Sequence, residues 1–121
     1  MTKILLAEDN DIITRIIVHK LEKENYSLTR LATGEKVYET VLSLTPDLII
    51  LDLLLPIRNG LTILRDLKSS PATIKIPVII FTTNNNEEML KSALDLGAID
   101  YILKPFSTSE LTAKVKKYTN F

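Results

Sequence analysis

The sequence contains no cysteine, only one histidine and only three glycines in 121 residues. The absence of cysteine excludes disulfides, zinc–thiolate centres and thiol nucleophiles. The single histidine, His19, has no partner set for catalysis, and we interpret it as a surface residue at the edge of an apolar helical face. The 15 basic and 15 acidic side chains give a formal net charge of +0, so no overall charge favours binding to nucleic acid or to an anionic membrane.

Long apolar runs are also missing, which argues against a transmembrane span and a secretory signal peptide and leads us to expect a cytoplasmic protein. Hydrophobic residues make up 45% of the chain and charged residues 25%, as is typical of a globular domain with its own core. We find neither an internal repeat nor a linker. The sequence therefore predicts one domain that covers residues 1–121.

Short apolar runs alternate with longer segments of helical periodicity along the whole chain. The strand-like runs are Lys3–Ala7, Tyr26–Ala32, Asp47–Leu51 (which ends at Asp52), Pro77–Phe81 and Asp100–Leu103. Five strands that alternate with five helices predict an α/β fold with one parallel sheet and helices on both of its faces. In such a sheet, ligands bind beyond the carboxyl ends of the strands.

The limits of the helices follow from turn residues and from the apolar periodicity. We expect the first helix to continue to about Asn25 and the second to open at Thr33 and Gly34. The segment Thr82–Asn86 is predicted to be a polar loop whose asparagines cap the fourth helix. Gly97 is placed to end that helix in a left-handed conformation.

The residues that directly follow the predicted strands form a consistent chemical set: Glu8 and Asp9 after the first strand, Asp52 after the third, Thr82 after the fourth and Lys104 after the fifth. Because parallel strands end at the same edge of a sheet, these side chains should lie close together. Three neighbouring carboxylates repel one another unless a cation joins them, and oxygen ligands of this kind suit Mg²⁺. A lysine and a hydroxyl beside them can bind phosphate oxygens. The set therefore indicates a phosphoryl-transfer site.

These residues, in this order and in a chain of this length, resemble the receiver domain of two-component response regulators, in particular a single-domain receiver like the chemotaxis regulators. The resemblance covers essentially the whole chain and includes Pro56 and Gly60 after Asp52, and the segment from Gly97 to Phe106. It implies a flavodoxin-like, doubly wound (βα)5 fold whose five-stranded parallel sheet has the order 2-1-3-4-5.

The resemblance also implies the chemistry of the site. Asp52 would accept a phosphoryl group from the phosphohistidine of a histidine kinase or phosphotransfer protein. Glu8, Asp9 and Asp52 would hold Mg²⁺ together with the backbone carbonyl of Leu54. The carboxylate of Asp52 would act as the nucleophile, while the cation neutralises charge on the transferring group.

The same resemblance implies how a phosphorylated site would be read. Lys104 would pair with one phosphoryl oxygen, and Thr82 would bond to another and shift inward. Tyr101 would report this shift to a face built from the fourth helix, the fifth strand and the fifth helix. We expect a signalling switch, a monomer or weak phosphorylation-dependent dimer, that controls a downstream protein without contacting nucleic acid or a membrane. It would not be a metabolic enzyme, and it would catalyse at most its own phosphorylation and dephosphorylation.

Two other functions fit these residues less well. A flavodoxin-like flavin carrier needs a hydroxyl- and glycine-rich loop where this chain has Glu8–Asp11, and a phosphatase of the haloacid dehalogenase type needs an acid where this chain has Leu54. Asp11 itself is interpreted as an acid that favours the start of the first helix. A receiver-like interaction module that works without phosphorylation remains the alternative, and a Mg²⁺ titration would separate the two functions.

Two positions that vary within the family are occupied by Leu54 and Asn84, two residues after Asp52 and Thr82 respectively. Neither side chain is a strong acid or base. We hypothesise that the bulky Leu54 obstructs the water that would hydrolyse the phosphoaspartate, so that the phosphorylated state is long-lived. Because Leu53–Leu55 is apolar for a loop, contact with a partner is a competing explanation.

Replacing Leu54 with asparagine should therefore accelerate dephosphorylation, because a smaller polar side chain leaves the path of the water open. The decay of the phosphorylated protein, followed by intact-mass spectrometry after removal of the phosphoryl donor, measures this rate. A Leu54→Asn variant that loses its phosphoryl group no faster than the wild type would contradict the hypothesis.

Overall fold

The structure, a computed structural model, describes residues 1–83 and 85–120. Strands and helices alternate along the chain, as the sequence pattern predicts. The strands are β1 (Lys3–Ala7), β2 (Ser27–Leu31), β3 (Leu48–Asp52), β4 (Val78–Thr83) and β5 (Asp100–Lys104). The helices are α1 (Asp11–Lys23), α2 (Val37–Leu44), α3 (Gly60–Lys68), α4 (Glu87–Asp95) and α5 (Thr108–Thr119). Within the described ranges, we find no helix with the length and apolar character needed to cross a membrane.

The five strands form one parallel sheet in the order β2-β1-β3-β4-β5, which confirms the predicted fold. The order reverses at β1, since β2 lies on one side of it and all later strands lie on the other. Ala7, the last residue of β1, pairs with Leu51, so β1 and β3 end within one residue of each other. Asp52 pairs with Phe81, and β4 continues to Thr83. This register places the residues that follow β1 beside the last residue of β3.

Two apolar layers enclose the sheet because successive residues of a strand point to opposite faces. Leu5 and Ile49 belong to the layer that packs against α2, α3 and α4, and Ile4 and Ile50 belong to the layer that packs against α1 and α5. All five residues of β3 are buried. The strand that carries Asp52 is therefore held on both faces, which makes it a rigid support for that side chain.

Helices α1 and α2 differ from their predicted limits. Helix α1 ends at Lys23, and Asn25 adopts a left-handed conformation with a φ of 69°. Helix α2 begins at Val37, so the prediction that it opens at Thr33 and Gly34 is wrong. A Cβ on Gly34 would lie 2.0 Å from the carbonyl oxygen of Arg58, so this segment is a turn packed against the loop after β3.

Strand β4 is longer than predicted, and the start of α4 is capped differently. Thr82 and Thr83 continue the strand because they pair with Leu103 and Lys104 of β5, and β-branched threonine suits a strand. Asn86 precedes α4, but its side chain makes no capping hydrogen bond; its amide donates to the hydroxyls of Thr82 and Thr83. Gly97 follows α4 with a φ of 113°, in agreement with its predicted role.

The loop between β3 and α3 contains a strained residue that is largely exposed to solvent. Ile57 has a φ of 73° and is 78% exposed. A β-branched residue in the left-handed region is sterically unfavourable, and the exposed side chain gains little from packing.

Ile57→Gly should raise the free energy of unfolding by about 1 kcal/mol, because glycine adopts this conformation without a steric penalty. Urea denaturation followed by circular dichroism measures the change. Ile57→Ala is the matched control: it shortens the side chain but keeps the Cβ, so its stability should stay close to that of the wild type. A glycine variant that is less stable than the alanine variant would show that the loop is not strained at this residue.

Candidate functional site

An open cleft of about 560 Å³ lies at the carboxyl edge of the sheet. Its lining consists of polar and charged side chains with two apolar ones: Glu8, Asp9, Asn10, Ile13, Asp52, Leu54, Thr82, Thr83 and Lys104. The structure thus brings together every residue that the sequence predicts for metal and phosphoryl binding. Tyr101, the predicted reporter residue, does not line this cleft.

Three carboxylates meet where β1 and β3 end. Glu8, Asp9 and Asp52 each offer an oxygen, and these oxygens lie within 4.8 Å of one another. Glu8 is fully buried and Asp52 is 4% exposed, whereas Asp9 faces solvent. Two acids in a buried position beside a third create strong mutual repulsion unless positive charge balances them.

Lys104 supplies positive charge at the end of β5. Its Nζ donates a hydrogen bond to Asp52 Oδ2 at 3.0 Å and lies 2.7 Å from Glu8 Oε1. Burial by itself lowers the pKa of Lys104, but the two carboxylates outweigh this effect and raise its pKa above the ordinary value. The ammonium therefore stays charged and ties both acids to β5.

Glu8 is the least satisfied group of the site. Burial raises the pKa of its carboxyl, and the nearby Asp52 adds to this effect, although Lys104 and the backbone amide of Asn10 act in the opposite direction. Its Oε1 is buried and is held by the ion pair with Lys104 at 2.7 Å, without a further hydrogen bond among the described residues. A buried, oxygen-rich site that is short of positive charge fits a hard divalent cation such as Mg²⁺.

The loop after β3 holds Asp52 in place. The amide of Leu54 donates to Asp52 Oδ1 at 2.9 Å, and the amide of Gly60 donates to the carbonyl of Leu53 at 2.9 Å. A Cβ on Gly60 would lie 2.5 Å from the carbonyl oxygen of Asp52, so α3 approaches β3 as closely as only glycine permits. Leu53 and Leu55 are buried in the core, and only Leu54 is exposed, so the apolar triplet is not a continuous surface patch.

Thr82 and Thr83 lie across the cleft from the loop that carries Glu8 and Asp9, the acidic pair. Thr82 is buried, although it is the penultimate residue of β4 and not part of a loop. The side-chain amide of Asn86 donates to Thr82 Oγ1 at 3.2 Å and to Thr83 Oγ1 at 2.9 Å. Asn86 is thus a site residue for which the sequence predicts only a role as a helix cap. Its spacing of four from Thr82 was the available signal.

Tyr101 lies on β5, facing outward, and is 36% exposed. It borders a small groove of about 180 Å³ that Thr83 also lines, so the two residues share a surface next to the cleft. Lys114 of α5 donates to the carbonyl of Tyr101 at 2.5 Å, and its Nζ lies 5.0 Å from the centre of the Tyr101 ring. A cation over an aromatic face is attractive, so this contact favours the outward position of the ring.

The remaining predicted residues lie outside the cleft. His19 is exposed on α1, as expected of a surface residue. Asp11 is the first residue of α1, and its carboxylate pairs with Arg30 at 2.9 Å. The actual N-cap of that helix is Asn10, whose Oδ1 accepts from the amide of Ile13 at 2.9 Å. Asn84 lies outside the described residues.

A parallel sheet with three acids, a lysine and a threonine at its carboxyl edge is the arrangement of a response-regulator receiver. The family model of the response regulator receiver domain matches residues 4–116, and the chain belongs to this family. The family comprises signalling domains of two-component systems that act as phosphoacceptor switches.

Individual relatives agree with this assignment. The chain is 43% identical to the response regulator ArlR of Staphylococcus saprophyticus over 116 residues, which cover 96% of this chain and 51% of that protein. The chain thus spans about half the length of the curated relatives it matches. A Chloroflexus aurantiacus protein described as a response regulator has a similar structure, with a TM-score of 0.92, 28% identity and coverage of 99% of this chain and 98% of that one.

A second related structure contains a metal. It is the receiver domain of a sensor histidine kinase from Pseudomonas aeruginosa, in which a magnesium ion is coordinated in the active-site cleft. Its TM-score to this chain is 0.90 at 27% identity, and the alignment covers 99% of this chain and 98% of that one.

A pH-sensitive contact lies next to Tyr101. Burial alone would raise the pKa of Asp100, but hydrogen bonds from Tyr118, from the amide of Tyr101 and from Lys114 outweigh burial and hold it below its ordinary value of 3.8. The hydrogen bond to Asp100 in turn raises the pKa of Tyr118 above its ordinary value of 10.0. The Tyr118 hydroxyl lies 2.7 Å from Asp100 Oδ2.

Tyr118→Phe should lower the free energy of unfolding by about 1.5 kcal/mol at neutral pH, because it removes a hydrogen bond to a charged group. A carboxylate with a depressed pKa stabilises the fold above its unfolded value and loses this effect as the pH falls through the folded pKa. A phenol with a raised pKa stabilises the fold below its unfolded value and loses this effect as the pH rises through the folded pKa. The difference in the free energy of unfolding between the wild type and the variant should therefore shrink below pH 3.8 and above pH 10.0.

Urea denaturation of both proteins across this pH range measures the difference. Tyr26→Phe is the matched control, because the Tyr26 hydroxyl bonds to the neutral hydroxyl of Thr119 at 3.0 Å. The loss in the free energy of unfolding caused by Tyr26→Phe should stay the same as the pH falls into the acid range. The same pH dependence in both variants would show that Asp100 is not its source.

Proposed function

We propose that this chain is a phosphoacceptor switch in which Asp52 receives a phosphoryl group from the phosphohistidine of a histidine kinase or phosphotransfer protein. An oxygen of the Asp52 carboxylate forms the new bond to phosphorus, the bond between phosphorus and the imidazole nitrogen breaks, and the imidazole leaves with that electron pair. The observation that carries this proposal is the position of Asp52, buried at the end of β3 between Lys104 and the acidic pair.

Glu8, Asp9 and Asp52 are proposed to hold Mg²⁺, with the backbone carbonyl of Leu54 as a further ligand. The buried Oε1 of Glu8, which among the described residues is held by Lys104 alone, and the clustering of the three carboxylates support this assignment. The related receiver domain from Pseudomonas aeruginosa, which holds magnesium in its cleft, supports it as well. When bound, Mg²⁺ supplies charge neutralisation for the transferring phosphoryl group.

Lys104 and Thr82 are proposed to bind the phosphoryl oxygens once the group is on Asp52. In the present structure Lys104 already bonds to Asp52 Oδ2, so a small movement of its ammonium suffices to contact a phosphoryl oxygen. Thr82 accepts a hydrogen bond from the side-chain amide of Asn86, and its own hydroxyl hydrogen can be donated to the phosphoryl group. These two hydrogen bonds connect the state of Asp52 to the end of β4 and the start of α4.

Tyr101 is proposed to pass this change to a downstream protein through the face of α4, β5 and α5. Its shared groove with Thr83 and its exposure support this role. Phosphorylation then shifts the population of Tyr101 from an outward to an inward position, and a protein partner distinguishes the two positions by direct contact. We propose a monomer or a weak phosphorylation-dependent dimer, with no direct contact to nucleic acid or membrane.

Incubation of the protein with acetyl phosphate should add one phosphoryl group in the presence of Mg²⁺ and none after chelation with EDTA. Intact-mass spectrometry measures the adduct. Asp52→Ala should abolish it, whereas Asp95→Ala, which removes an exposed carboxylate of α4, should leave it unchanged.

A folded wild-type protein that gains no adduct from acetyl phosphate or from phosphoramidate would overturn the proposal. That outcome would favour the alternative, an interaction module that works without phosphorylation. An adduct that persists in Asp52→Ala would place the phosphoacceptor on another residue.

A further inference from the structure

Arg30 connects the edge strand β2 to the loop that carries the acidic pair. Its Nε donates to the backbone carbonyl of Glu8 at 2.9 Å, and its Nη2 donates to Asp11 Oδ1 at 2.9 Å. One guanidinium therefore bridges the residue before Asp9 and the first residue of α1. The Arg30 side chain is 27% exposed, whereas that of Asp11 is 75% exposed, so the contact with the carbonyl is the more sheltered of the two.

Strand β2 holds Glu8 at both of its backbone groups. The amide of Glu8 donates to the carbonyl of Leu31 at 3.1 Å, and its carbonyl accepts from Arg30. The carbonyl of Glu8 and the amide of Asp9 belong to the same planar peptide unit. Arg30 therefore fixes the orientation of the peptide that joins the two acids.

We propose that Arg30 is a positioning residue, which presets the Glu8–Asp9 peptide and so strengthens the binding of Mg²⁺ to the acidic cluster. This inference rests on the proposed function of the cleft. Asp9 is exposed, so the direction of its side chain depends on the backbone from which it projects. Ligands that are already ordered lose less conformational entropy when the ion binds.

The charge of Arg30 acts in the opposite direction. A guanidinium close to the cluster repels a divalent cation, so its removal would strengthen Mg²⁺ binding if charge were its only contribution. Loss of the hydrogen bond to Glu8 would instead weaken Mg²⁺ binding. The sign of the change in affinity therefore separates positioning from charge. The exposed ion pair with Asp11 adds little stability by itself.

The test is a titration of the metal-free protein with MgCl₂ by isothermal calorimetry for the wild type, Arg30→Gln and Arg15→Gln. Arg15 is an exposed residue one turn beyond Asp11 on α1, so its variant removes the same charge. We expect Mg²⁺ to bind Arg30→Gln about three- to tenfold more weakly than the wild type, because groups that orient metal ligands have effects of this order or larger. Arg15→Gln should bind Mg²⁺ as tightly as the wild type or more tightly.

Two further measurements distinguish a positioning role of Arg30 from a general effect on folding. Urea denaturation shows whether Arg30→Gln is folded, and Arg30→Lys, which keeps the long stem and the charge but not the planar fork, replaces it if it is not. We expect weaker binding in the lysine variant as well, by a smaller factor. Backbone ¹⁵N relaxation without Mg²⁺ should show greater mobility at Asp9 and Asn10 in both Arg30 variants, as a positioning role requires.

Unchanged or stronger Mg²⁺ binding in a folded Arg30 variant would overturn this inference and leave the proposed function standing, provided that the wild type binds Mg²⁺. A wild-type protein that binds no Mg²⁺ would overturn both this inference and the proposed metal site.

Discussion

The contact of Lys104 with two buried carboxylates is the interaction on which the site depends. Glu8 and Asp52 are removed from water at the edge of the sheet, and their repulsion would oppose folding if no cation stood between them. Lys104 provides this charge from β5, two strands away from β3, and so joins the far side of the sheet to the acidic pair. Apart from this ion pair, Glu8 Oε1 has no hydrogen bond among the described residues. The charge of the site is thus only partly balanced, which supports the proposed binding of a divalent cation.

The sheet makes this contact possible because it holds β1, β3 and β5 in register. Asp52 is the last residue of a strand that is buried along its whole length, and the loop after it is fixed by the amides of Leu54 and Gly60. The acidic pair is held from the other side by β2. The proposed switch assigns movement to groups at the margin, such as the side-chain amide of Asn86 and the exposed ring of Tyr101. A rigid acceptor with mobile neighbours is what a switch requires, since a local charge change must bias an element with two positions.

Much of this arrangement could be predicted from the sequence, but some of it could not. Apolar runs that end in Asp52 or Lys104 identify both the strand and the edge where it stops. Local reasoning failed at Gly34 and Thr82, where contacts distant in the sequence decide the structure: the loop after β3 prevents α2 from starting early, and β5 extends β4. Arg30 carried no signal for the site, because its partner Glu8 follows a different strand, 22 residues earlier in the chain. For Asn86 the one available signal was its spacing of four from Thr82.

The sequence by itself determined the fold class, the family and the set of residues at the strand ends, because hydrophobic periodicity and the residues after each strand are local properties of the chain. Only the tertiary structure decided how these residues share charge. The bridging position of Lys104, the burial of Glu8 and the hydrogen bond from Arg30 to the Glu8 carbonyl arise because the sheet brings together strand ends that are separated along the chain. Electrostatic effects depend on distance and burial, and neither is written in the local sequence.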